Sequence, residues 1–195
     1  MTDLMFIQNF TNNWNTLSDD KINYLTDTNR LKGYVGPRQS GKSYLLYQDL
    51  VCNAFNERAD YLVIAPNYPS LRVIQNYVKD CLEGFMLEFE TVASFPSYTT
   101  RRLPNGSTIT FSSGSNLSST LIGRRFKNVY IDEPAHIRGI CSTISHNILP
   151  VVACEGGYVA IFGTMDYEQA RQFIDIGFSL TRSEFNLGVY NNGLQ

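Results

Sequence analysis

At 195 residues the chain can bury one sizeable core but leaves little room for a second enzymatic domain. Its 18 acidic and 16 basic side chains give a formal net charge of −2, without the global basic field that many non-specific DNA binders carry, so any nucleic-acid contact must be local or shared among copies. Cys52, Cys81, Cys141 and Cys154 form no C-x-x-C pair, and with His136 and His146 they show no zinc spacing; no apolar run reaches membrane length and the first residues lack a signal peptide's positive region. A soluble protein in a reducing, cytoplasmic setting, without a disulfide framework, is expected.

In chain order, residues 4 to 30 read as helical pieces, with Leu17, Ile22 and Leu25 apolar and Ser18 a candidate N-cap before Asp19 and Asp20. This lead-in, residues 1–30, is expected to pack on a core formed by residues 31–195. Leu31 to Val35 reads as a short strand and Ser43 to Phe55 as a helix with Leu46, Leu50, Val51 and Ala54 on one face. Tyr61 to Ala65 is a continuous apolar run, as in a parallel strand covered on both faces. Ser70 to Leu82 follows as a crossover helix with Leu71, Ile74, Tyr77, Val78 and Cys81 at helical spacing.

The Asn105-Gly106 turn signal within 101–111 predicts a hairpin, and 112–120 reads as a polar loop. Two more apolar strands run from Asn128 to Ile131 and from Tyr158 to Phe162. Between them Ile140 to Val152 reads as a helical segment, closed by Pro150 or shortly before it. A helix through Ile176 and a last strand around 183–187 complete the pattern. The fold class expected is α/β, a P-loop NTPase of the ASCE/RecA-like kind, with a mostly parallel central sheet flanked by helices.

Gly36-Pro37-Arg38-Gln39-Ser40-Gly41-Lys42-Ser43 satisfies the phosphate-loop pattern, after a strand and at the start of a helix. Its backbone N–H groups can turn in around the phosphates of ATP, Lys42 can reach the β and γ phosphates, and the Ser43 hydroxyl can ligate Mg2+. Val129 to Ile131 presents Asp132 to the magnesium shell and Glu133 to an attacking water. A paired acid at a strand end points to ATP hydrolysis. Gly163-Thr164 ends another strand at the edge where ligands bind in open α/β sheets, and Thr164 is a candidate γ-phosphate sensor. Arg38 lies inside the loop. Arg124 and Arg125 are open to three readings: an arginine finger, a DNA contact or a solvated basic face.

Together these residues resemble the ATPase domain of the large terminase subunit, the genome-packaging motor of tailed bacteriophages. The likeness is carried by Pro37 to Ser43, by the Leu103-Pro-Asn-Gly-Ser-Thr-Ile109 segment, and by Leu121-Ile-Gly-Arg-Arg-Phe-Lys-Asn-Val-Tyr-Ile-Asp-Glu133. It implies that Arg38 senses the γ-phosphate, that Asp132 is the Walker B acid and Glu133 the catalytic carboxylate, and that Gly163-Thr164 is the coupling motif. Where many members carry an arginine before the glycine of the approach segment, this chain has Ile122, with Arg124 and Arg125 after Gly123.

The activity implied is ATP hydrolysis coupled to translocation of viral double-stranded DNA into a procapsid, in the cytoplasm of the infected host cell. The partners implied are double-stranded DNA, the portal protein and further copies of the chain in a ring, with a small terminase subunit and a separate nuclease as additional ones. About 30 residues follow Thr164, too few for the nuclease domain of the family, so an ATPase-only subunit or a fragment is expected. The residues also leave open a RecA-like or helicase-type ATPase acting on other nucleic acid, and a nucleotide-dependent assembly switch.

Overall fold

The computed structural model describes residues 17–83, 90–95 and 98–183. The first helix, α1 (Asp19–Thr26), begins at Ser18, whose carbonyl accepts the Lys21 and Ile22 amides; the Ser18 side chain makes no capping bond. The βα repeat then starts: β1 (Leu31–Val35), α2 (Lys42–Asn56), β2 (Asp60–Ala65) and α3 (Tyr68–Glu83). Buried Leu71, Ile74, Val78 and Leu82 make one stripe on α3, which is why this segment coils rather than extends. An antiparallel section follows, β3 (Glu90–Ser94), β4 (Tyr98–Arg102) and β5 (Thr108–Ser113). The 103–107 turn between β4 and β5 carries the Asn105-Gly106 pair, as its turn chemistry requires.

The expected polar loop at 112–120 instead contains a single 3-10 turn and a short helix, α4 (Leu117–Leu121). Two leucines four residues apart, both buried, supply an apolar face that the surrounding serines hide in the sequence. The chain continues through β6 (Asn128–Asp132), α5 (Ile140–Thr143), a π-helical turn at Ile144–Ile148, α6 (Leu149–Ala153), β7 (Val159–Gly163), α7 (Tyr167–Asp175) and β8 (Ser179–Arg182). Pro150 does not close the 140s helix as expected. It sits in the first turn of α6, just after the widened π turn, where its missing N–H costs little. The last described strand ends at Arg182; the strand expected around 183–187 lies, apart from Ser183, outside the described residues, as do residues 1–16.

Among the described residues the strands form one sheet in the order β3-β4-β5-β2-β6-β7-β1-β8. From β5 to β8 every neighbouring pair is parallel; β3 and β4 run antiparallel at one margin. Helices cover both faces, which accounts for the unbroken apolar runs of β2, β6 and β7. One core cluster joins Tyr34, Leu45, Leu50, Val63, Ile74 and Phe111 beneath α2 and α3. The other joins Ile64, Ile131, Ile144, Ile148, Ile161 and Phe173 beneath α4 to α7. No helix among the described residues is long and apolar enough to cross a membrane.

Helix α1 is held to this core by buried polar bonds. Tyr34 donates to Asp20 Oδ2, and Tyr24 donates to Asp49 Oδ2 at 2.7 Å. Tyr158 donates to the same oxygen at 3.0 Å, Asn53 donates to Asp49 Oδ1 at 2.8 Å, and Lys32 Nζ stands 3.9 Å from Asp49. Lys32 also lies over the Tyr24 and Tyr158 rings, at 4.6 and 4.3 Å from their centroids. A buried lysine is tolerable here because its charge meets a carboxylate and two π faces.

Candidate active site

Strand register brings the expected motifs to one edge. Val35 pairs with Gly163, and Asp132 pairs with Phe162, so the residues that follow emerge side by side at the carboxyl end of the sheet. Strand β7 lies between the phosphate-loop strand and the acidic strand. The segment Gly163-Thr164 therefore touches both. Gly36 N donates to Gly163 O at 3.2 Å, and Thr164 N donates to Glu133 Oε2 at 2.8 Å.

The loop from Gly36 to Ser43 turns into α2 at Gly41, whose φ of 82° suits glycine. Gln39, at φ 66°, and Glu133, at φ 44°, are the non-glycine residues with positive φ among those described. Both stand at the candidate site, where such strain is held by the surrounding structure. Glu133 N donates to Phe162 O at 2.7 Å, which fixes the unusual turn.

Lys42 Nζ donates to Pro37 O at 2.7 Å, folded across the loop. Burial lowers its pKa, and nearby Arg38 lowers it further, while Glu133 and Asp132 raise it. Asp132 is buried, and burial together with the Glu133 charge pushes its carboxyl up to about 7, against the pull of Lys42. Arg38 and Gln39 are exposed, Pro37 and Ser43 are half-buried. Ser40 Oγ and Thr164 Oγ1 are buried without a hydrogen-bond partner.

These features fit a nucleotide with a hard cation. One hydroxyl without a partner, that of Ser40, lies in the loop and another, that of Thr164, on the segment bonded to it, and a desolvated carboxylate faces a lysine. No group of three or more His, Cys, Asp or Glu gathers among the described residues. A cation at Asp132 and Ser43 would thus complete its shell with oxygens of phosphate and water, as Mg2+ does.

Arg124 and Arg125 are not brought to this loop. Arg124 Nη2 donates to Thr110 Oγ1 at 2.7 Å, and its guanidinium packs 5.4 Å from the Tyr98 ring and 4.9 Å from Phe126. That places it over β4 and β5, four strands from β1, roughly 19 Å at ordinary strand spacing. Arg125 is exposed near the amino end of β6, 3.8 Å from Glu155. Two residues that the sequence did not mark as site residues stand beside the loop. Ser183 N donates to Val35 O at 2.8 Å, and Lys21 Nζ lies 3.3 Å from where a Cβ on Gly41 would stand. Both are distant in the chain and belong to no motif.

A family model of the terminase large subunit, T4likevirus-type, N-terminal region, matches residues 34–140. The chain belongs to this family. No curated protein sequence matches it at a significant level. The terminase fold is also that of solved structures at low identity. The Thermus phage P74-26 large terminase ATPase domain is 20% identical with a TM-score of 0.62, over 77% of this chain and 65% of that one. The large terminase of a thermophilic bacteriophage, in complex with ATP-γ-S, is 11% identical with a TM-score of 0.60, over 85% and 44%. The HK97 bacteriophage large terminase is 12% identical with a TM-score of 0.57, over 88% and 40%. The chain spans less than two thirds of the length of each.

Proposed function

We propose that this terminase chain is an ATPase that drives viral double-stranded DNA into a procapsid. The observation that carries the reading is the Glu133 carboxylate. It stands at the strand edge beside Asp132, and the Thr164 amide ties it to the segment that also bonds to the phosphate loop. A base that polarises water, a phosphate cradle and a connecting strand end are then one unit.

The loop amides and Lys42 bind the triphosphate, and Lys42 leaves Pro37 O to do so. Asp132 and Ser43 are the residues that would hold Mg2+, which when bound neutralises charge between the β and γ phosphates. Glu133 orients a water for in-line attack and accepts its proton. Arg38 senses the γ-phosphate from the exposed side of the loop. Loss of that phosphate changes what Thr164 and Gly163 meet, and β7 passes the change into the sheet. DNA, the portal protein and further copies of the chain in a ring are the partners of this reading, in the host cytoplasm. Of the two arginines before β6, Arg125 is the exposed one that a neighbouring subunit or DNA would reach.

ATP turnover measured with and without double-stranded DNA and portal tests the proposal. Stimulation by both supports a packaging motor. Preference for single strands would favour a helicase-type ATPase, and slow turnover indifferent to nucleic acid would favour an assembly switch.

A further inference from the structure

We propose that Lys21, on the helix preceding β1, is a further nucleotide-binding residue that contacts the α/β-phosphate end of the bound nucleotide; this rests on the ATPase reading above. The placement is firm. Lys21 is flanked along α1 by Asp20 and Tyr24, both buried, and these two side chains bond to Tyr34 of β1 and Asp49 of α2. Two hydrogen bonds on different elements fix both the rotation and the height of α1, so Lys21 is delivered to the loop rather than left to wander on the surface.

Its ammonium reaches Gly41: a Cβ built there would lie 3.3 Å from Lys21 Nζ and 3.6 Å from Cε. Gly41 is the residue from which α2 starts. Among the described residues no carboxylate pairs with Lys21 and no acceptor takes a hydrogen bond from its side chain. A cation held at the positive end of a helix is electrostatically unfavourable until an anion arrives. The amides that open the helix cradle the α and β phosphates, while the loop lysine serves β and γ. Lys42 points across the loop toward the Asp132 and Glu133 side. Lys21 approaches at Gly41 and so completes the other end of the polyphosphate site, with a contact made equally to ATP and ADP.

Calorimetric titration of ATP and ADP into the full chain, with Mg2+, tests this. Lys21→Met is expected to weaken both nucleotides by the same factor, roughly three- to tenfold for one half-exposed charged contact. KM for ATP rises with it and kcat stays within about twofold, the signature of uniform binding. Lys21→Arg retains the affinity, and added salt narrows the gap between Lys21→Met and the wild type. Lys21→Gln, which keeps a polar helix surface, gives the same loss if Lys21→Met proves unstable. Unchanged dissociation constants in these variants overturn the proposal, as does a loss confined to ATP or a fall in kcat at constant KM. Lys42→Ala, run alongside, separates the two readings: normal nucleotide binding by that variant would sink the ATPase reading itself.

Discussion

The Thr164 amide donates to Glu133 Oε2 at 2.8 Å and so joins the ends of β7 and β6 at the carboxyl edge of the sheet. Gly163 leaves room for this bond. A Cβ there would stand 3.2 Å from Glu133 Oε2, 3.3 Å from Glu133 Cα and 3.1 Å from Pro134 Cδ, close enough that Glu133 and the buried Pro134 would have to shift by a few tenths of an ångström. Gly163→Ala should therefore push the carboxylate out of place. We expect kcat for ATP hydrolysis to fall on the order of tenfold or more, with ATP affinity changed less than about threefold. Steady-state kinetics beside equilibrium binding check this; an equal loss in both would mean that the loop itself had moved.

Glu133→Gln keeps an oxygen able to accept the Thr164 amide but cannot take a proton from water. Turnover should drop by roughly two to four orders of magnitude while nucleotide binding persists. Undiminished hydrolysis in this variant would refute the role given to Glu133.

Asp132 supplies a pH dependence. Its carboxyl is pushed up to about 7 in the folded chain by burial and by Glu133. In the unfolded chain it titrates near the ordinary value of about 4. Between these values the folded state holds the extra proton, so this group's contribution to stability falls as pH rises through the window. In the absence of nucleotide, Asp132→Asn should match the wild type near pH 4 and exceed it by about 1–3 kcal/mol near pH 8. Denaturant titrations at both pH values decide; a gap that is constant with pH would show that folding leaves the Asp132 pKa unshifted.

Arg124 and Arg125 should separate cleanly. Removing Arg124 deletes a bond to Thr110 and packing against two rings, so Arg124→Ala should cost about 1–2 kcal/mol of stability and leave ATP affinity intact. Arg125→Ala, which loses only an exposed pair at 3.8 Å, should lie within about 0.5 kcal/mol of wild type. Chemical denaturation measures both, and a stable Arg124→Ala would remove the packing role assigned here.

Asp49 anchors α1 through Tyr24 and neutralises Lys32. Asp49→Ala leaves a buried ammonium without its carboxylate, and a loss of about 3–5 kcal/mol is expected. Replacing Lys32 by methionine in the same chain should recover much of it. Failure to recover would mean that the tyrosine bonds, not the charge pair, carry the effect.

The chemical parts of the site were legible because each is local. The spacing of Gly36, Gly41, Lys42 and Ser43 needs only a strand before it and a helix after it, and both were visible in the hydrophobic pattern. Asp132-Glu133 and Gly163-Thr164 were legible for the same reason, each closing an apolar run. The hairpin around Asn105-Gly106 followed from its turn. Helix α4 was hidden because two buried leucines sit among serines and glycine, a composition that reads as a loop until the sheet supplies a surface for them. Pro150 misled because proline ends a regular helix, whereas the π turn before it changes the bonding pattern that its ring would break.

By itself the sequence determined what chemistry this chain can carry, since phosphate cradles and acidic strand ends are set by short, contiguous stretches. Only the tertiary structure decided which charges stand beside those stretches. The sheet order puts β7 between the loop and Glu133, sends Arg124 four strands away, and lets two buried tyrosine bonds bring Lys21 to Gly41, twenty residues on. Strand order and helix placement arise from contacts between distant residues, and no local pattern encodes them.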